Sequence, residues 1–122
     1  MARSHPNGLT PRETQIMQVI WRNGEASVEM IQAELPDALV DSTIRTMLLI
    51  MEDKAYVTSR KQGRAKIYRA RIAQAQVQKS AVKQMIHRLF DGSAALLLAQ
   101  LVEDRHVDLT ELDRMRRRLQ HR

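Results

Sequence analysis

Three helix-start signals follow one another before residue 44, and a single period-two hairpin comes after them. Thr10-Pro11-Arg12-Glu13 supplies a capping hydroxyl, a proline at the first helical position and a glutamate that closes a capping box. Ile16, Met17, Ile20 and Trp21, spaced three and four apart, predict one buried stripe for this first helix, and Asn23-Gly24 predicts its stop. Ser27 caps a short second helix with Val28, Ile31 and Leu35 on one side, and Pro36 ends it or opens the link beyond. A third helix starts near Asp41 or Ser42 and runs to about Lys54, with Ile44, Leu48 and Met51 inward. Tyr56 to Arg60 then alternates as a strand, Lys61-Gln62-Gly63-Arg64 turns, and Ala65 to Ala70 returns.

Three short helices followed by a two-stranded hairpin is the layout of a winged helix-turn-helix domain. The helix-turn-helix occupies residues 27–54 and the wing residues 56–70. Composition agrees. Trp21, Tyr56, Tyr68 and Phe90 are the whole aromatic supply, so aliphatic side chains must fill the interior, which favours helices. The fold class expected is therefore mainly α.

Beyond Arg71 the hairpin signals vanish. Ala73 to Phe90 predicts a long helix with Val77, Ala81 or Val82, Ile86 and Leu89 on one side. Asp91-Gly92-Ser93 breaks it, and Ser93 caps a helix running through Val102 that contains Leu96, Leu97 and Leu101. Asp108, with Glu111 three residues on, caps a last helix carrying Leu109, Leu112, Met115 and Leu119 against a basic face. Three amphipathic helices of this size close a core poorly alone and well against a second copy. The expected division is a DNA-binding domain over residues 1–71 and a helical dimerisation region over residues 72–122. Its contacts are expected from Val77, Ile86, Leu89, Leu96, Leu97, Leu101, Leu112, Met115 and Leu119.

Charge is informative only locally. The chain carries a formal +6, and each half is near +3. Between Thr58 and Arg71, however, six basic residues stand with no acidic one. On a hairpin these suit phosphate, and the tight turn requires Gly63. Phosphate contacts are expected from Arg60, Lys61, Arg64 and Lys66, and from Thr10 and Arg12 at the start of the first helix. Base edges fall to the start of the third helix, where Ser42, Thr43, Arg45 and Thr46 offer hydrogen-bonding side chains. An alternative stays open at this point: Ser42 and Thr43 could serve only as helix caps. Tyr68 is expected to pack rather than stack on a base, and the C-terminal arginines to serve solubility or subunit pairing.

Other chemistries lack support. There is no cysteine, which excludes disulfides, thiolate zinc sites and cysteine nucleophiles. The four histidines are scattered without metal-ligand spacing, and no glycine-rich phosphate loop occurs. Glu52-Asp53 and Glu103-Asp104 are adjacent pairs, which point in different directions on a helix. No enzymatic activity, cofactor, metal or small-molecule substrate is expected. The start MARSHPNG has no apolar run, and the longest one in the chain, Ala94 to Ala99, is too short for a bilayer. A cytoplasmic location is the expectation.

The segment LTPRETQIMQVIW from Leu9 to Trp21 resembles the opening of the penicillinase and methicillin-resistance repressor family, as does Gly24-Glu25-Ala26-Ser27-Val28. Thr43-Ile44-Arg45-Thr46-Met47-Leu48 is similar to its recognition helix, and Gly63-Arg64-Ala65-Lys66-Ile67-Tyr68 to its wing. Phe90-Asp91-Gly92-Ser93 and the helix from Asp108 to Leu119 are similar to its dimerisation part, so the resemblance spans about residues 9–120. It implies a homodimeric repressor on a palindromic, double-stranded promoter operator, controlling beta-lactamase or another resistance factor. It also implies a membrane-bound sensor protease as a partner, cutting at about Gln100-Leu101, although the family's cleaved bond has a different residue pair.

Two positions depart from that pattern. Leu49-Ile50 stand where the family commonly carries basic or polar residues, and Ala55 stands where it has a glycine. Leu49 and Ile50 are expected either to cover a contact with the first helix or tail, or to make the DNA-facing surface less polar. Ala55 predicts a less sharp end to the third helix. A rival of another class is a winged-helix adaptor that holds a protein partner at Leu49-Ile50 without specific DNA binding.

Overall fold

The structure is a computed structural model that describes residues 8–121. In chain order the elements are α1 (Pro11–Asn23), β1 (Ala26–Ser27), α2 (Val28–Glu34), α3 (Asp41–Asp53), β2 (Val57–Gln62), β3 (Ala65–Ala70), α4 (Gln74–Leu89), α5 (Ala94–Glu103) and α6 (Leu109–Gln120). The fold is mainly α, with an N-terminal winged helix-turn-helix and a C-terminal helical region. Contacts divide it into two compact units, one ending at Ser80 and one beginning at Ala81.

In the first unit the expected stripes all point inward. Ile16, Met17 and Ile20 of α1, Val28 and Ile31 of α2, and Ile44, Leu48 and Met51 of α3 are buried together with Val19, Leu35, Tyr56, Val57 and Tyr68. Trp21 is only partly buried and packs on the edge of this core, donating its indole N–H to the Ile72 carbonyl at 3.0 Å. The capping box at α1 forms as the sequence predicts, with the Thr10 hydroxyl accepting from Glu13 N and Glu13 Oε1 accepting from Thr10 N at 2.8 Å.

The hairpin belongs to a three-stranded antiparallel sheet in the order β1-β3-β2. Ala26 pairs with Tyr68 and Ser27 with Ile67, an addition that two residues before a helix give no periodicity to announce. The wing arms are also longer than the sequence suggested. Lys61 and Gln62 lie in the ladder opposite Lys66 and Ala65, leaving only Gly63 and Arg64 as the loop. Gly63 has φ +64° and Arg64 does not share the positive sign, which is the geometry of a two-residue loop with glycine first.

Two expectations about α3 are corrected. Its N-cap is Val40, whose side chain makes no capping bond, and Ser42 and Thr43 stand inside the first turn; the capping role is excluded for both. Its end is sharp despite Ala55. Lys54 N donates to the Ile50 carbonyl at 2.9 Å, Ala55 N to Glu52 at 3.0 Å and Tyr56 N to Met51 at 2.9 Å. That is a complete Schellman motif carried on an alanine with φ +64°.

In the second unit Ser93 caps α5 and Asp108 caps α6, each accepting from the backbone N–H three residues on. No residue of α4, α5 or α6 is buried. Val82, Met85, Leu89, Leu96, Leu98, Leu109, Met115 and Leu119 are exposed.

Candidate nucleic-acid interface

The core stripe of α3 decides what the opposite side presents. With Ile44, Leu48 and Met51 inward, Ser42, Thr43, Arg45 and Thr46 are all exposed. Arg45 sits 3.5 Å from Asp41 one turn back, an exposed pair that is easily traded for another anion. The Thr46 hydroxyl donates to the Ser42 carbonyl at 3.0 Å, which leaves its lone pairs to accept and its methyl free for apolar contact.

The ladder register sorts the wing cations onto two faces. Tyr68 and Val57 point into the core, so Lys61 and Lys66, directly opposite each other, continue that face beyond it. Like charges at facing positions repel and favour a bound anion. Lys66, Arg64 and Arg45 line one shallow cleft with Ser27 and Glu29, at the seam of wing, α2 and α3. Among the described residues no ion pair engages the side chains of Lys61, Arg64 or Lys66.

Three expected phosphate contacts stand apart from this group. Arg60 lies on the other face and forks onto Glu25 at 2.8 and 3.1 Å, holding the Glu25 carboxyl below its ordinary value. Arg12 forks onto Asp37 at 2.6 and 2.8 Å and does the same there. The Thr10 hydroxyl accepts from Glu13 N in the capping box, which leaves its O–H to donate. In sequence Arg12 and Arg60 differ in nothing from the other cations; partners 25 and 35 residues away set them aside.

The support beneath α3 includes a pair the sequence reading missed. Lys54 Nζ, at the helix end, meets Glu13 Oε2 at 2.7 Å, and the Glu13 side chain is almost fully buried. Burial works to raise the Glu13 carboxyl, but hydrogen bonds from Lys54 and Thr10 outweigh it and leave the group below its ordinary value. Ser59 of β2 donates to Glu52 of α3 at 3.0 Å, tying wing to helix. Tyr68 is buried, as expected of a packing residue, and burial together with Glu52 raises its hydroxyl above the usual range against the opposing effect of Arg45. Among the described residues no group of three or more histidine or acidic side chains is placed to hold a metal.

The sequence model of the penicillinase repressor family matches residues 9–121. The chain belongs to that family. It is a family of transcriptional repressors, not of enzymes. The solution structure of the DNA-binding domain of the repressor BlaI is 26% identical, covers 59% of this chain and 90% of that one, and superposes with a TM-score of 0.51. The CopR repressor structure is 31% identical over 54% of this chain and 99% of its own, with a TM-score of 0.46. A curated relative from Latilactobacillus sakei, described as an uncharacterized 16.5 kDa protein in the ptsI 3' region, is 22% identical over 110 residues, or 87% of this chain and 74% of its own length.

The residues expected for dimerisation and cleavage fall in the second unit and in α4. Val77, Ile86, Leu97, Leu101 and Leu112 are half-buried, while Leu89, Leu96, Met115 and Leu119 are exposed. Gln100 and Leu101 lie inside α5, where the Leu101 carbonyl accepts from His106 N at 2.9 Å and Gln100 donates to Asp104 at 2.7 Å.

Proposed function

We propose that this repressor-family chain acts as a cytoplasmic homodimer that occupies a palindromic operator in double-stranded DNA. The observation that carries the reading is the convergence of Arg45, Arg64 and Lys66 on one cleft beside the outward row Ser42, Thr43 and Thr46. Arg64 and Lys66, with no ion pair among the described residues, and Arg45, held only by an exposed pair with Asp41, suit a phosphate backbone. The row beside them, on a helix, suits the floor of a major groove. Two copies would bring two such helices to successive half-sites, and the exposed aliphatic faces of α4, α5 and α6 supply the surface for pairing.

The test is a mobility shift on the promoter region upstream of its own gene, repeated at several salt concentrations. A repressor shifts that fragment in preference to random DNA. The double substitution Arg64→Ala with Lys66→Ala removes two contacts per protomer and flattens the log–log salt slope by about 3 to 4 for a dimer. Absence of any preference over random DNA at moderate salt refutes the reading. A resistance gene as the controlled target, and relief by a membrane sensor protease cutting near Gln100-Leu101, belong to the same proposal. Cutting there requires the last turn of α5 to unwind first.

A further inference from the structure

The outward face of α3 does not end at Thr46. Leu49 follows Arg45 and Thr46 by four and three residues, and Ile50 follows Thr46 by four, so both continue the row that begins at Ser42. Leu49 is 61% exposed and Ile50 49%, which excludes the expected cover by the first helix among the described residues. What flanks them is charged: Arg45 one turn back, with Arg64 and Lys66 sharing its cleft, and Asp53 one turn on. An exposed aliphatic pair one turn beyond Arg45 fits a polyanion that offers methyl groups, and the thymine C5-methyl on the floor of the major groove is such a group. The rise from Ser42 to Ile50 is about 12 Å, close to the width of that groove. Asp53 marks the limit of the contact, since a carboxylate is repelled by phosphate.

We infer that Leu49 and Ile50 are specificity-determining residues that read thymine methyl groups, at base pairs beyond those facing Ser42 to Thr46. The inference rests on the operator-binding reading above and narrows the operator class. The preferred half-site carries thymine under the second half of α3. Cytosine is disfavoured there because it lacks the methyl and presents an amino donor that no aliphatic side chain can accept.

The experiment starts from a random-sequence duplex pool from which the full-length protein selects its own sites. The best-enriched duplex is then remade with deoxyuridine for thymidine, one position at a time, which removes a methyl and keeps the base pair. One thymine per half-site should be found whose replacement weakens binding about fourfold, and replacement in both half-sites should cost on the order of tenfold. In the double variant L49A/I50A the same replacements should change nothing. Both side chains are exposed, so the variant keeps the fold, which the fluorescence of Trp21 verifies. A pool that enriches no site removes base reading altogether. An enriched site whose uracil versions bind the wild-type protein equally well overturns this inference and leaves the repressor reading standing. A variant that alters sedimentation while uracil sensitivity persists assigns the patch to a protein contact and overturns it as well.

Discussion

Ala55 holds a left-handed backbone that glycine adopts freely, and replacing it with glycine should stabilise the first unit. The alanine Cβ costs roughly 1–2 kcal/mol at such a φ. Glycine gives back about 0.4–1 kcal/mol through the greater entropy of the unfolded chain. The net gain for Ala55→Gly is therefore about 0.5–1 kcal/mol, or about 2–8 °C in Tm for a unit of this size. The full gain is expected because the conformation is fixed from both sides. Met51 and Tyr56, which exchange the closing hydrogen bond, are both buried, so Ala55 cannot relax without pulling one of them out. Urea unfolding followed by tryptophan fluorescence is the assay, since Trp21 is the single tryptophan and packs against this core. The midpoint should rise with an unchanged m-value. Ala55→Val should move it the other way, because a branched side chain tolerates the region less well. A glycine variant with an unchanged or lowered midpoint would refute the reasoning.

Glu13→Ala removes both the cap to Thr10 and the partner of Lys54, and should cost about 2–3 kcal/mol in the same urea assay. The folded Glu13 titrates below its ordinary value near about 4.3, so its contribution is complete above that pH and disappears as pH falls through the lower folded value. The stability difference between wild type and Glu13→Gln should therefore be full at neutral pH and shrink in acid; a gap independent of pH excludes the ion pair as its source. Arg60→Ala should leave the salt slope of DNA binding nearly unchanged, in contrast to the double change at Arg64 and Lys66, because Arg60 is already bound to Glu25; equal flattening by both would mean that the ladder register does not sort the wing. Leu89→Glu with Leu119→Glu puts charge on the exposed aliphatic faces and should yield monomers in sedimentation at micromolar concentration, with operator affinity falling at least a hundredfold.

Helix content was legible because caps and inward stripes are local. Thr10, Ser27, Ser93 and Asp108 each accept the backbone bond that their position implies, and Ile44, Leu48 and Met51 fall where a period of 3.6 puts them. Ser42 and Thr43 were ambiguous because the same residue types suit a cap and an exposed first turn. Only the position of Val40 as N-cap separates the two. The wing cations were indistinguishable because a run of like charges carries no register. Strand pairing put Arg60 on the face of Glu25 and Lys61 with Lys66 on the face of the core. The Glu13–Lys54 pair joins positions 41 residues apart, and no pattern in the chain links them. Ala55 was misread for a different reason. A missing glycine signals a weak helix end only when nothing else determines the turn, and here two buried neighbours do.

Ser27 is at once the last ladder residue of β1 and the N-cap of α2. No residue separates sheet from helix there, so the chain has no slack with which to absorb an insertion. One added residue would either slip Ala26 out of the core or strip Met30 N of its cap, whereas the loop of Gly63 and Arg64 points into open space. The wing tip can therefore take up a change in length that this junction cannot. A descendant of this chain can lengthen its hairpin far more readily than it can shift α2 against the sheet.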